Sequence, residues 1–182
     1  TQEDYASDVI EKLESAIDRA LDRWLPQLRT EGLKPVPQDE SRASFFGRRA
    51  PADGLIDWRW PASEIYALIR AASRPYPGAY TYVKNRKLVI WRARRESTLS
   101  FRGVAGRILR KDPKLGFLVQ TGAGLLWLQE MEFADGDLDP FLELHVGTKL
   151  GYSSEDEIFR LKRRLSELEE IVNRLEDRLG GN

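Results

Sequence analysis

Few side chains here are equipped for covalent or metal chemistry. There is one histidine, His145, and no cysteine. That removes thiolate nucleophiles, Cys-ligated zinc and most histidine metal sites, and it weakens any catalytic triad. His145 stands in an alternating stretch, where a structural histidine is expected. Asp135-Gly136-Asp137-Leu138-Asp139 opens like a calcium loop. Pro140 then takes the position that needs glycine, and Val146 the one that needs a bidentate glutamate, so a polar turn is expected instead. Gly122-Ala123-Gly124 lacks the third glycine and the following helix of a dinucleotide fingerprint, and reads as a hairpin turn. Asp53 and Asp57 invite a paired-carboxylate reading, but capping or turn roles explain them with fewer assumptions. Lys84 to Lys114 holds eleven basic residues against Glu96 and Asp112. A basic face suits a phosphate backbone; charges alternating outward on solvated strands are the other reading.

These residues need elements to position them. From Asp4 to Leu28, Val9, Leu13, Ile17, Leu21, Trp24 and Leu28 recur every three to four residues, which predicts an amphipathic helix that stops near Gly32. Gly32 to Trp60 has no period but carries Phe45, Phe46, Ile56, Trp58 and Trp60. That predicts an ordered, extended segment packed across a domain surface. Ala62 to Ser73 is a short helix with Ile65, Leu68, Ile69 and Ala72 inward, ended by Arg74-Pro75-Tyr76-Pro77-Gly78. The period then becomes two. Strands are expected at 79–83, 87–94, 104–109, 117–121 and 125–133, with a weaker sixth at 142–146. Trp91 and Trp127 are expected to face inward, and Gly106 and Gly116 to mark bends. Six short strands in this space suggest a small antiparallel barrel.

The tail, Ser153 to Leu179, has a different logic. Ile158, Leu161, Leu165, Leu168, Val172, Leu175 and Leu179 are spaced alternately by three and four residues. This is a heptad seam with Ile158, Leu165, Val172 and Leu179 at a and leucine at every d, which favours two parallel strands. Glu157 at g would face Lys162 at e of a partner, and Arg164 at g would face Glu169 at e. Ile171 at g widens the stripe and keeps a trimer, or docking on the barrel, open. A homodimer is expected.

The balance of 29 basic and 29 acidic residues among 182, with 41% hydrophobic content, describes a soluble globular chain. No apolar run is long enough to span a bilayer, so no membrane partner is expected. No secretory leader opens the chain, and the absence of cysteine fits a cytoplasmic location. Thr1 is not an initiator: either a methionine was trimmed or the chain is a piece of something longer.

Three blocks occur in order: Ser44-Phe45-Phe46-Gly47-Arg48-Arg49-Ala50-Pro51-Ala52-Asp53-Gly54-Leu55-Ile56-Asp57-Trp58, then Ile69-Arg70-Ala71, then Pro75-Tyr76-Pro77-Gly78-Ala79. Over about residues 1–152 the chain resembles the formyltetrahydrofolate-dependent formyltransferases. It is most similar to the branch that formylates the amine of a nucleotide-linked amino sugar, such as 4-amino-4-deoxyarabinose on UDP; methionyl-tRNA formyltransferase is a more distant relative. The resemblance implies an α+β architecture: the tail and linker of a catalytic domain at 1–73, an OB-like barrel at 74–152, and a coiled-coil oligomerisation helix at 153–182.

The resemblance also implies that the Asn, His and Asp of the catalytic half have no counterpart here. This chain alone is then expected to be inactive and to bind no cofactor, with 10-formyltetrahydrofolate serving the complete enzyme. Arg48, Arg49, Tyr76 and Gly78 would lie beside the nucleotide sugar: guanidinium on diphosphate, ring on base, and a glycine for close backbone approach. A tRNA-binding barrel and a purely structural dimerisation module are the rival expectations.

Overall fold

A computed structural model describes residues 3–32, 36–136, 138–151 and 154–180, leaving aside the side chains of 31, 154–157 and 176–180. The chain divides into two compact units, Thr1–Gly151 and Tyr152–Asn182. The first is α+β. Its elements are α1 (Ala6–Glu31), α2 (Ala62–Ala72), β1 (Ala79–Val83), β2 (Arg86–Glu96), β3 (Ile108–Asp112), β4 (Gly116–Gln120), β5 (Leu125–Phe133) and a one-turn α3 (Pro140–Glu143). The second is a single helix, α4 (Ser154–Gly180).

The five strands form one antiparallel sheet in the order β1-β2-β5-β4-β3, an open, barrel-like arrangement. Alternation sorts β4 and β5 onto two faces. Phe117, Val119, Leu126 and Leu128 join the main core with Ile65 and Ile69 of α2 and Leu88 and Ile90 of β2. Leu118, Leu125 and Trp127 form a second cluster, closed by Leu99, Leu109 and Leu115. The Gly122-Ala123-Gly124 hairpin turn forms as expected and docks against the segment before α2, with Gly122 N donating to Trp60 O at 3.0 Å and Ala62 N to Ala123 O at 2.8 Å. A side chain at Gly122 would start 1.7 Å from Arg59 O, so only glycine permits this approach.

Several expectations are corrected. The third strand is Ile108–Asp112, not 104–109; Gly106 turns the chain at φ +82, where Gly106 N donates to Gln120 O and Leu150 N donates to Gly106 O. There is no strand at 142–146. Asp139 accepts a hydrogen bond from Phe141 N and, with Pro140 in the first turn, starts α3, which buries Pro140. The segment after Gly32 is not packed throughout: Phe45 and Phe46 are 90% and 91% exposed, and burial resumes at Gly54, Ile56 and Trp58. Pro35, in that segment, lies outside the described residues.

Trp127 is 1% exposed, whereas Trp91 is only partly covered. The β2–β5 register slips between Ile90 and Arg92, leaving Trp91 as an extra residue at a bulge. Its ring lies under the Arg74 guanidinium, 4.5 Å from centre to carbon.

α1 begins where Asp8 accepts from the Tyr5 amide, and Gly32, at φ +72, closes it. Pro26 lies inside the helix, which runs past Leu28 to Glu31. Only its start is buried. Tyr5 Oη donates to Ala93 O and accepts from Ala93 N, and Arg70 Nη1 donates to Asp4 O at 2.7 Å. Its apolar stripe from Val9 to Leu28 is otherwise exposed.

Candidate functional site

The site is assembled by two glycines. A side chain at Gly54 would start 2.8 Å from Gly78 O, so the short 3₁₀ turn Pro51–Gly54 and the loop leaving α2 can touch only through bare backbone. Asp53 holds that turn by accepting from Ala50 N at 2.6 Å. Tyr76 N donates to Ser73 O and Gly78 N to Ala72 O, folding the loop back over the end of α2. Arg49 thus comes beside Tyr76.

The result is a cleft of about 370 Å³, lined by Arg49, Asp53, Leu68, Ala72, Tyr76 and Gly78 among others. Arg48 lies in an adjoining cleft of about 780 Å³ that shares Arg49, Asp53 and Leu68. All four residues singled out from the sequence are therefore found along one surface. Tyr76 is 52% exposed, its ring open to a planar partner. Arg48 and Arg49 are exposed, with their guanidinium donors open to an anion. Apart from these groups and Asp53, the smaller cleft is walled by aliphatic carbon, which gives a polar grip at one side and an apolar floor.

Packing alone already requires glycine at 78. Its φ is +87, and a side chain there would start 2.4 Å from Val89 Cγ1 and 3.0 Å from the Trp91 ring. Asp53, Leu68 and Ala72 were not anticipated as site residues. The sequence marks Asp53 as a turn residue, which it also is, and places Leu68 and Ala72 on the buried stripe of α2.

Other chemical groups lie elsewhere. His145 is exposed, with Nδ1 3.0 Å from Glu143 O, and takes no part in the cleft. Asp57 accepts from Arg59 N and pairs with the Arg59 guanidinium, which holds its carboxyl below the usual range. No group of three or more His, Cys, Asp or Glu gathers as a metal site among the described residues; Asp137 of the calcium-like run lies outside them. No described helix is long and apolar enough to cross a membrane.

Three cations of the basic run meet acids distant in sequence. Arg86 meets Asp135 at 2.6 Å, Arg92 meets Glu130 at 3.1 Å and Arg95 meets Glu3 at 3.7 Å. Lys87 lies over Tyr80, and Lys111 over Phe141. Each exposed pair is weak, and a cation over a ring keeps its charge, so these contacts order part of the run and offset only some of its positive charge.

Comparison with known proteins fits this architecture. Two variants of HypX from Aquifex aeolicus are similar in structure: one at 21% identity and TM-score 0.53 over 70% of this chain and 23% of that one, the other at 20% and 0.52 over 71% and 22%. HypX in complex with tetrahydrofolic acid gives 19% and 0.49 over 71% and 25%. The chain spans about a quarter or less of the length of these HypX chains, and at such identity the likeness is one of fold. Residues 49–141, which contain the glycine-paired cleft and the whole sheet, match the family described as formyl transferase, C-terminal domain. With half of its length matched, the chain belongs to the family of formyl transferase C-terminal domains.

Proposed function

We propose that this chain is the substrate-side part of a formyltransferase that acts on the amine of a nucleotide-linked amino sugar, with 10-formyltetrahydrofolate as donor. The observation that carries the reading is the convergence of Arg49 and Tyr76 on one apolar-walled cleft, with Arg48 alongside. Guanidinium groups pair with a diphosphate through two hydrogen bonds each, and an open phenol ring stacks on a pyrimidine.

The cleft does not fit the transfer step itself. Its one carboxylate, Asp53, is engaged by the Ala50 amide, and the only histidine of the chain lies elsewhere. A general base must reach the attacking amine, so that chemistry, and the folate, are assigned to a separate catalytic half. The exposed stripe of α1 and the pair Phe45 and Phe46 give such a half an apolar surface to cover. A reducing cytoplasm suits a cysteine-free chain.

The test is a titration of UDP into this chain, followed by NMR of the cleft amides. Millimolar binding is expected, lost in Arg49→Ala and in Tyr76→Ala. UDP binding untouched by both variants, or no UDP binding alongside salt-sensitive tRNA binding, would reject the assignment.

A further inference from the structure

The second unit is one helix whose apolar side nothing within it can cover. Ile158, Leu161, Leu165, Leu168, Val172 and Leu175 are all exposed, by 46% to 61%. The helix is continuous through them, Ser154 to Gly180, which gives a rod of about 40 Å at 1.5 Å per residue. Leu179, the last seam residue of the sequence pattern, lies outside the described side chains.

The steps of three and four average 3.5 residues, slightly short of the helical 3.6. Such a stripe stays on one side only if the helix winds around another of the same repeat. A flat protein surface does not ask for that match; a second copy supplies it. The polar groups are sorted accordingly. Arg163 pairs with Glu167 at 3.6 Å and Arg174 with Glu170 at 3.9 Å, all four at b, c or f positions away from the seam. They support the helix without crossing the contact face. Arg164, beside the seam at g, also reaches Glu167 at 3.4 Å, a contact it would share with or exchange for one to a partner helix.

We infer that α4 is a self-association surface, and that its occupant is the same helix of a second copy, parallel and in register. Charge beside the seam favours this arrangement. Arg164 at g and Glu169 at e become neighbours across a parallel pair, twice by symmetry. Two of the three described a positions, Ile158 and Val172, are β-branched, Leu165 being the third; with leucine at every described d this favours two strands over three. A helix of this length is marginal alone in water, so the folded helix and the dimer form together. The inference is independent of which ligand the cleft takes.

The chain offers a clean test because it has no cysteine and all five of its tryptophans lie before residue 152. In the full chain, Leu161→Cys places two thiols side by side in a parallel, in-register pair, within the roughly 4–7 Å Cα separation a disulfide needs. In an antiparallel pair Leu161 faces Val172, and the thiols are on the order of 16 Å apart. Sedimentation should show a dimer for the parent, a disulfide-linked dimer for oxidised Leu161→Cys, and a monomer for Leu168→Asp whose tryptophan melting curve is unchanged.

A charge exchange adds a second reading. Arg164→Glu and Glu169→Arg should each weaken the homodimer several-fold, and mixing the two should restore it as a heterodimer. A monomeric or trimeric parent overturns the inference. So does a Leu168→Asp chain that stays dimeric, or crosslinking only when Leu161→Cys is mixed with Val172→Cys.

Discussion

Glu96 shows how much one side chain can acquire from tertiary context. Its Oε1 accepts from Thr98 N at 2.7 Å and from the Thr98 hydroxyl at 2.6 Å, while Oε2 accepts from Trp127 Nε1 at 2.8 Å. These donors favour the charged form and hold its carboxyl at about 2, against an ordinary 4.5. The folded value is the lower one, so the stabilisation is complete above about pH 4.5 and is lost as the pH falls through about 2. Glu96→Gln should therefore flatten the acid side of a Tm-against-pH curve between those values; a parallel curve would contradict this. In the sequence, Glu96 was only one of two acids in a basic run. Its partner lies 31 residues away and is brought close by the β2–β5 register. Gly78 is legible in the sequence as a special position, and the structure adds a packing cause for it. The packing against Val89 and Trp91 predicts that Gly78→Ala lowers Tm without any ligand, by roughly 1–3 kcal/mol of stability. An unchanged Tm, with weakened UDP binding, would return the glycine to a ligand-approach role.

The elements most legible in the sequence were those with a sustained period: α1, α2, α4 and the strands β1, β2, β4 and β5. Periodicity alone misplaced the rest. At 142–146 the alternation was real, yet the Asp139 cap and Pro140 fixed a helical turn first, and local capping outweighed it. The segment around Phe45 shows the converse error, since size and apolarity identify residues that want cover but not whether this chain provides it. Trp91 and Trp127 looked equivalent in strand alternation, and the bulge separates them. Trp127 is surrounded by Leu118, Leu125 and Leu99. Trp127→Ala should cost about 3–5 kcal/mol in urea unfolding. Trp91→Ala, removing a ring already part open under Arg74, should cost about half of that or less. Equal losses would mean that the bulge does not re-aim the ring.

For the whole molecule, the division after Gly151 makes a direct prediction. A chain ending there should melt, by tryptophan fluorescence, within a degree or two of the parent, and its melting should not depend on protein concentration. A large drop in Tm would show that the first unit relies on the helix. The strand order β1-β2-β5-β4-β3 carries a further consequence, for the route by which the sheet forms. β1 with β2, and β3 with β4 and β5, are neighbours in the chain and can zip locally. Only the join of β2 to β5 closes a long loop, from Leu88↔Phe133 to Glu96↔Leu125. Closure of that loop is the slow search, because its entropy must be spent before the contacts return anything. Until then two half-sheets each present an unpaired edge, the condition in which chains pair with one another. Leu128→Ala, in the joining strand, should therefore slow refolding. Stopped-flow traces of Trp127, whose indole meets its Glu96 acceptor only across this seam, would time the moment at which two hairpin pieces become one sheet.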